Sequence, residues 1–205
     1  MTHPLLDLGV AALADGGGLL LAPGFAPVWA GAAFAGPAAT VTCPAGDNLA
    51  LQVAVAEAPP GSVVVCAVEP GPPCGYVGDV LATAAQVRGV AGILVDGGVR
   101  DVAGLASLGF PVVAPLLCAR GPSKSGPGEV GGPVEVGGVT VHPGDVVVAD
   151  VDGVVVLPVD GASEVVERAT AKASREPGLL ERIRGGGSTL DVLGLDGSVV
   201  RRRDG

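Results

Sequence analysis

The middle of the chain alternates short apolar runs with stretches of helical spacing. Residues 62–68 and 91–95 are runs rich in Val, Ala, Ile and Leu, which are typical of strands buried on both faces. Residues 79–88 and 102–108 have the pattern of short helices, and a third apolar run follows at 110–114. A Gly/Pro loop is predicted over 69–78, and a tight turn is predicted at Gly97-Gly98, after the second apolar run. This β-α-β-α-β order predicts parallel strands joined by helical crossovers.

Two further helices are predicted before this unit. The first 20 residues carry an apolar stripe that ends at Gly16. A second helix is predicted over 49–57, where Asp47 or Asn48 stands in position to cap the first turn.

The pattern changes after residue 130. Residues 133–157 predict strands separated by hairpin turns, at Gly137-Gly138, Pro143-Gly144 and Asp152-Gly153. Residues 160–184 predict one helix with two i,i+4 pairs of opposite charge, Glu164 with Arg168 and Lys172 with Glu176. A mixed sheet, parallel in one part and antiparallel in the other, is therefore expected within an α/β fold.

Composition changes this picture little. The 35 glycines and 18 prolines approach a low-complexity level, but a 48% hydrophobic content gives enough apolar surface for one compact domain over 1–205. The net charge of −9 argues against nucleic acid as a partner, and the basic run at Arg201–Arg203 is interpreted as a solvated tail.

Membrane and secretory signals are not evident in the sequence. Residues 16–46 carry no charge, but their prolines and glycines would leave backbone groups unpaired in lipid, so buried loops and short strands are expected there. The N-terminus lacks the basic region of a signal peptide. Four cysteines without a CxxC pair indicate reduced thiols in a cytoplasmic protein, with Cys66 in the core and Cys74 in a loop.

The candidate chemistry lies in Gly78-Asp79 and, after 20 intervening residues, Arg100-Asp101. A helix beginning at Asp79 and a strand ending before Arg100 meet at one edge of a parallel sheet, where α/β proteins bind ligands. Free helix amides favour a carboxylate, the Arg100 guanidinium binds a carboxylate or enolate, and Asp101 suits Mg²⁺ or Mn²⁺. Alternatively, Asp79 is only a helix N-cap, and Arg100-Asp101 is a solvated turn.

Residues 89–101 resemble the signature of the 4-hydroxy-4-methyl-2-oxoglutarate aldolase family, which is related to the regulators of ribonuclease E activity. The Asp-x20-Arg-Asp spacing resembles that family's metal-dependent aldolase motif. Other similar stretches bring the resemblance to roughly residues 30–195: Asp47-Asn48-Leu49, 108–112, 139–150, 152–156 and 188–194.

The resemblance implies a swivelling β/β/α sandwich that assembles as trimers or hexamers, with sites between subunits. It implies a divalent-metal (class II) aldolase that releases pyruvate from a 4-hydroxy-2-oxo dicarboxylic acid and also decarboxylates oxaloacetate. The implied roles are metal ligand for Asp101, enolate stabilisation for Arg100, and control of a metal-bound water for Asp79. Backbone amides of Gly78, Asp79, Val80 and Leu81 would bind the pyruvate carboxylate, and Glu176 would reach the site of a neighbouring subunit.

Two positions depart from the family pattern, since Gln52 replaces a common histidine and Ala67 stands where an acidic residue often closes a strand; both are interpreted as structural positions. A non-enzymatic regulator of ribonuclease E activity stays an alternative, although regulators generally lack the final aspartate that Asp101 retains. A methyltransferase is a further alternative, but no glycine-rich adenosyl site is visible. Lys124 and Lys172 both stand in polar surroundings, which argues against Schiff-base chemistry.

Overall fold

The computed structural model describes residues 3–201; Arg202 and Arg203 of the predicted basic tail lie outside this range. The helices are α1 (Pro4–Asp15), α2 (Leu49–Glu57), α3 (Asp79–Val87), α4 (Val102–Leu108), α5 (Ala162–Ala173), α6 (Glu176–Arg184) and α7 (Thr189–Leu193). The strands are β1 (Leu19–Leu20), β2 (Ala26–Pro27), β3 (Phe34–Cys43), β4 (Val63–Val68), β5 (Gly75–Val77), β6 (Gly92–Val95), β7 (Gly98–Val99), β8 (Val112–Ala114), β9 (Leu116–Leu117), β10 (Glu129–Val130), β11 (Val134–Val136), β12 (Val139–Val141), β13 (Val146–Asp150) and β14 (Gly153–Leu157).

The main sheet has the strand order β1-β14-β13-β3-β4-β6-β8-β2, with β10 added alongside β3. Strands β3, β4, β6 and β8 are parallel, whereas the β13–β14 hairpin and the outer strands are antiparallel. The ten-residue β3 joins the two halves, because its first residues pair with β13 and its last residues pair with β4. The structure therefore confirms an α/β fold with a mixed sheet.

A second, small parallel sheet lies at the carboxyl edge of the first. Each of β4, β6 and β8 is followed closely by one of its strands, β5, β7 and β9, which pair in the order β5-β7-β9. One residue, Gly78, separates β5 from α3, and two residues, Arg100 and Asp101, separate β7 from α4. The two helix starts that carry the candidate chemistry are thereby brought to one edge.

Aliphatic side chains fill three clusters around the main sheet. One lies under α2, α3 and α4, a second lies between the sheet and the β11–β12 hairpin, and a third packs α1 and α5 against β13 and β14. Phe34 and Phe110 are the largest fully buried side chains in these clusters. Since Val, Leu and Ala supply nearly all of the rest, close backbone approach rather than aromatic bulk holds the layers together.

Most of the predicted elements are present. The parallel unit, the helix after Asn48 and the i,i+4 pair of Glu164 with Arg168 (3.5 Å) are confirmed. Hairpins form at two of the three predicted turns, between β11 and β12 and between β13 and β14, whereas the strands on either side of Pro143-Gly144, β12 and β13, do not pair with each other. The uncharged stretch 16–46 forms short strands, loops and all of β3. Within residues 3–201, no helix has both the length and the apolar character needed to cross a membrane.

Three other local predictions were wrong. Gly98 lies in β7 rather than in a tight turn, and the supposed loop before Asp79 contains β5. The single helix over 160–184 is two helices, α5 and α6, that are separated at Ser174 and Arg175. Lys172 therefore does not pair with Glu176; its Nζ pairs with the Asp15 carboxylate of α1 instead.

Candidate functional site

A cleft of about 180 Å³ opens where β5 leads into α3 and β7 leads towards α4. Its lining comes from α2, β5, the start of α3 and two loops: Asn48, Gln52, Gly75, Tyr76, Gly78, Val80, Leu81, Arg100, Pro122 and Lys124. Two of these side chains, Arg100 and Lys124, are cationic. The cleft is thus a positively charged spot on a chain whose net charge is −9, and it favours an anionic ligand.

The N-terminus of α3 faces this cleft without a cap. Gly78 is the N-cap residue and has no side chain to accept a hydrogen bond from the first turn, so within the described residues no side chain caps this helix. The amides of Asp79, Val80 and Leu81 have no carbonyl partner inside the helix. The Val80 side chain is 80% exposed, so it leaves room for a ligand at these amides. The helix start is arranged to bind a carboxylate.

Arg100 lies in a channel made by glycines. A Cβ on Gly75 would stand 3.2 Å from Arg100 Cβ, and a Cβ on Gly121 would stand 2.9 Å from Arg100 Nη1. A Cβ on Gly78 would stand 3.2 Å from Arg100 Nε. These glycines therefore let the guanidinium reach the cleft along the backbone, and any larger residue would displace it.

Asp101 lies beside the cleft, with its Oδ2 3.4 Å from Arg100 Nε. It is the N-cap residue of α4, yet its side chain makes no capping hydrogen bond. Its backbone is left-handed (φ 56°, ψ 35°), and no other non-glycine residue among 3–201 has a positive φ. The solvated-turn alternative explains Asp101 poorly, because a solvated turn does not require a strained residue.

Asp79 and Glu176 do not line the cleft. Asp79 is the first residue of α3 rather than its cap, and its exposed carboxylate lies over Gly104 of α4, where a Cβ would be 3.4 Å from Oδ2. Glu176 begins α6 and is exposed. The structure thus brings Arg100, Asp101 and the α3 amides together and leaves Asp79 and Glu176 outside this group.

The segment 46–48 was predicted only as a helix cap, but it forms one wall of the cleft. Asn48 is 4% exposed, and its Nδ2 donates to the Tyr76 carbonyl at 2.8 Å. Its Oδ1 is buried and, within the described residues, has no hydrogen-bond partner. The Tyr76 hydroxyl accepts the Gly46 N–H at 2.6 Å, which fixes the segment on β5. A buried polar atom without a partner beside a cleft is suited to a ligand's hydrogen-bond donor.

The structure adds to the interpretations of Gln52, Lys124 and Cys74, and the latter two lie in loops as predicted. Gln52, interpreted as a structural position, lines the cleft. Lys124 is on an exposed loop as expected, but it also lines the cleft. Cys74 is buried, and its Sγ donates to the Arg120 carbonyl at 3.3 Å. Burial raises the pKa of the Cys74 thiol, so it is a poor nucleophile.

The described residues contain no group of three or more His, Cys, Asp or Glu side chains arranged to hold a metal ion. Mg²⁺ does not require such a group, because it binds through one or two carboxylates and keeps several waters. The Asp101 side chain is 39% exposed and lacks a capping hydrogen bond, so its chemistry fits this mode of binding. Asp101 is therefore the residue that would hold a divalent cation.

Comparisons with known proteins identify the family of this chain. A family model described as "RraA-like: Aldolase/RraA" matches residues 10–156. A protein of Halalkalibacterium halodurans, named as a candidate 4-hydroxy-4-methyl-2-oxoglutarate aldolase, is 37% identical over 137 residues. That match covers 67% of this chain but 65% of the relative, so this chain matches slightly less than two thirds of the relative's length.

Solved structures with similar folds carry different names. The RNA-processing inhibitor RraA from Thermus thermophilis is 30% identical with a TM-score of 0.66, covering 77% of this chain and 94% of that one. A protein from Geobacillus kaustophilus, titled S-adenosylmethionine:2-dimethylmenaquinone methyltransferase, is 33% identical with a TM-score of 0.67, covering 76% and 95%. The residues that the family model matches, 10–156, include the cleft, Arg100 and Asp101. Because this match spans well over half of the chain, the chain belongs to the RraA-like family of aldolases and RraA proteins.

Proposed function

We propose that this chain is a divalent-metal-dependent lyase that releases pyruvate from 4-hydroxy-2-oxo dicarboxylic acids, and that the same site decarboxylates oxaloacetate. The observation that carries the proposal is the meeting of Arg100, Asp101 and the uncapped start of α3 at one cleft. The name of the Halalkalibacterium relative supports the aldolase reaction.

The substrate's 1-carboxylate would bind the free amides of Asp79, Val80 and Leu81. Those N–H groups carry the positive end of the helix dipole, and Gly78 leaves them open. The adjacent 2-oxo group would then point towards Arg100. Such a fixed orientation removes much of the entropy cost of reaching the transition state.

Arg100 would stabilise the negative charge that develops on the 2-oxo oxygen. In both reactions the C3–C4 bond breaks and its electron pair moves towards C2, which gives the pyruvate enolate. A divalent cation at Asp101 would add Lewis-acid stabilisation of that charge. The guanidinium N–H donors lie beside Asp101, so both sources of positive charge would act on the same oxygen.

Three further lining residues support a second carboxylate in the substrate. Lys124 supplies a cation, and Gln52 and Asn48 supply amide groups. Amide nitrogens donate hydrogen bonds to carboxylate oxygens, while the unpartnered Asn48 Oδ1 would accept one from a hydroxyl group. A 4-hydroxy dicarboxylic acid offers both groups.

The two reactions differ in their need for a base. Retro-aldol cleavage must remove the proton of the C4 hydroxyl, whereas decarboxylation releases CO₂ without that step. We assign the proton transfer to two acidic residues that do not line the cleft of this chain, Asp79 and a Glu176 that a neighbouring subunit would supply. Oxaloacetate decarboxylation should therefore tolerate the loss of either residue better than retro-aldol cleavage does.

A non-enzymatic regulator of ribonuclease E activity is the second candidate, and the Thermus inhibitor RraA favours it. The experiment is to supply purified protein and Mg²⁺ or Mn²⁺ with oxaloacetate or 4-hydroxy-4-methyl-2-oxoglutarate and to measure pyruvate. We expect turnover that a chelator abolishes and added Mg²⁺ restores. If neither acid is turned over with either metal, while the protein inhibits ribonuclease E, the regulator candidate is correct.

A further inference from the structure

We propose that Asp47 is a positioning residue that anchors the loop of residues 122–126 and thereby holds Lys124 at the cleft. We call this segment the anchored loop. The inference rests on the proposed function in one respect, since it takes Lys124 as the residue that binds the substrate's distal carboxylate. The anchoring itself is a property of the chain, and it can be measured without any substrate.

One carboxylate oxygen of Asp47 collects three hydrogen bonds from the anchored loop. Its Oδ2 accepts from Ser123 Oγ at 2.6 Å, from Ser125 N–H at 2.7 Å and from Gly126 N–H at 2.9 Å. The second oxygen, Oδ1, accepts the Leu49 N–H at 2.8 Å in the first turn of α2. Asp47 therefore joins the loop to the helix whose residue Gln52 lines the same cleft.

Backbone hydrogen bonds align the two segments at the same place. The Asn48 N–H donates to the Ser123 carbonyl at 3.0 Å, and the Ser123 N–H donates to the Gly46 carbonyl at 2.8 Å. These two bonds lie on the N-terminal side of Lys124, and the Asp47 bonds to Ser125 and Gly126 lie on its C-terminal side. Lys124 is thus held on both sides.

The anchored loop has little else to hold it. Ser123, Lys124 and Ser125 are all exposed, whereas Asp47 is 4% exposed beneath them. Gly126 comes so close that a Cβ there would be 3.1 Å from Asp47 Cγ. Because the loop buries almost no apolar surface, its conformation depends on hydrogen bonds, and on the C-terminal side of Lys124 these go to the Asp47 carboxylate.

The chemistry of this anchor requires an anion. Burial would raise the pKa of Asp47, but the hydrogen bonds from Ser123, Ser125, Leu49 and Gly126 outweigh it and hold the pKa well below its usual range. The group is ionised at neutral pH. In Asp47→Asn the side-chain NH₂ group would face either the N–H and O–H donors of the anchored loop or the Leu49 N–H, and two donors cannot form a hydrogen bond. The substitution therefore keeps the shape of the side chain but removes hydrogen bonds of the anchor.

The test compares Asp47→Asn with wild type in Mg²⁺-dependent cleavage of 4-hydroxy-4-methyl-2-oxoglutarate, whose distal carboxylate is not broken off in the reaction. We expect KM to rise about tenfold, the equivalent of one lost charge contact, with kcat nearly unchanged. KM for 4-hydroxy-2-oxopentanoate, which lacks that carboxylate, should stay the same. Lys124→Ala should reproduce the effect, and the double variant should show no further rise, because both changes remove one contact.

Asp145→Asn is the matched control. Asp145 is equally buried (3% exposed) and accepts backbone N–H groups of His142 and Val159, but it does not line the cleft. If a general loss of stability caused the KM rise, Asp145→Asn would show the same rise as Asp47→Asn. An equal KM rise in Asp145→Asn, or an unchanged KM in Asp47→Asn, would overturn the positioning role.

Amide hydrogen exchange separates this inference from the proposed function. In Asp47→Asn without substrate, the amides of Ser125 and Gly126 should exchange faster, whereas those of β4 should keep their protection. Unchanged exchange at Ser125 and Gly126 would overturn the anchor even in an active enzyme. Faster exchange in a protein that turns over neither acid would retain the anchor and reject the proposed function.

Discussion

Asp101 combines a free carboxylate with a backbone that its side chain disfavours. For L-residues the left-handed region costs roughly 1 kcal/mol, although Asp and Asn tolerate it better than most. Neither burial nor a capping hydrogen bond of the side chain offsets this cost, because Asp101 is exposed and its side chain does not cap α4. Strain of this kind is retained where the geometry serves a function, and here it turns the carboxylate towards Arg100 and Gly78.

Asp101→Gly should separate stability from activity. Glycine adopts φ 56° without strain, so the free energy of unfolding should stay equal to that of wild type or rise by about 0.5–1 kcal/mol. Pyruvate release should nevertheless be lost with the carboxylate. Urea unfolding beside the activity assay checks this prediction, and a clear loss of stability would show that the backbone at Asp101 is not strained.

Asp47 should make stability depend on pH in a defined direction. Its pKa is lowered in the folded chain, so folding favours the ionised form. The contribution is fully present above the unfolded pKa, about 4, and it is lost as the pH falls through the folded pKa. The difference in unfolding free energy between wild type and Asp47→Asn should therefore be constant from pH 8 to 5 and shrink under more acidic conditions. A difference that is largest near pH 3 would contradict the assignment.

The junction of β5 with α3 is the element on which the site depends most. Gly78 lies between β5 and α3. Without a side chain, it leaves the first amides of α3 accessible and lets both Arg100 and Asp101 lie close to the backbone. A Cβ at this position would stand only 2.4 Å from Asp101 Oδ2, although the backbone itself is extended (φ −143°) and would accept alanine. The restriction is therefore one of space in the site and not one of conformation.

Gly78→Ala should reduce kcat/KM at least about a hundredfold, since both charged groups must move from positions that the transition state requires. The chain should remain folded, because the displaced groups are half exposed. Gly132→Ala is the matched control, as a Cβ there meets nothing within 4 Å. Steady-state kinetics with thermal unfolding on both variants checks this. Equal activity in the two variants would show that Gly78 has no role in the site.

The elements that were predicted best have a clear hydrophobic periodicity or are bounded by glycine and proline. The buried runs of β4 and β6, the helix at Asp79 and the hairpins follow from local patterns. Strands β5, β7 and β9 are only two or three residues long, so no periodicity marks them. The break before α6 has a local signal, since Pro177 stands in the first turn of α6, where proline is tolerated, and the prediction of one helix over 160–184 did not use it.

The candidate site was predicted in the same uneven way. The edge shared by Asp79, Arg100 and Asp101 follows from sheet topology, and the structure brings Arg100 and Asp101 together. The roles of Asn48, Gln52 and Lys124 in the lining depend on how the anchored loop folds over α2. A hydrogen-bond network between residues almost 80 positions apart leaves no mark in a local pattern.

At the scale of the whole molecule, several apolar side chains on the elements around the site are exposed. Val80 (80% exposed) and Val87 (82%) lie on α3, and Leu117 (62%) lies on β9. Surfaces of this kind favour association with another chain. We propose that they are covered in a trimer or hexamer, in which α6 of one subunit carries Glu176 to the cleft of the next.

Mixing inactive variants tests this assembly. Arg100→Ala and Glu176→Ala should each abolish retro-aldol cleavage. Equal amounts, unfolded and refolded together, should recover about a quarter of the wild-type activity, because a head-to-tail interface then pairs one intact Arg100 with one intact Glu176. Each variant refolded alone is the control. Mixtures that stay inactive, although both variants assemble, would place Glu176 within its own subunit's site, and an active Glu176→Ala refolded alone would place it outside the reaction.

The most direct test of the account is Mg²⁺-dependent pyruvate formation from oxaloacetate by wild type and by Asp101→Asn. Asparagine keeps the size of the side chain and tolerates the left-handed backbone, so the comparison isolates the charge. We predict that wild type responds to Mg²⁺ in a saturable way, and that Asp101→Asn stays at the rate of the metal-only blank. Undiminished Mg²⁺-dependent turnover by Asp101→Asn would contradict the central claim that Asp101 holds the metal beside Arg100.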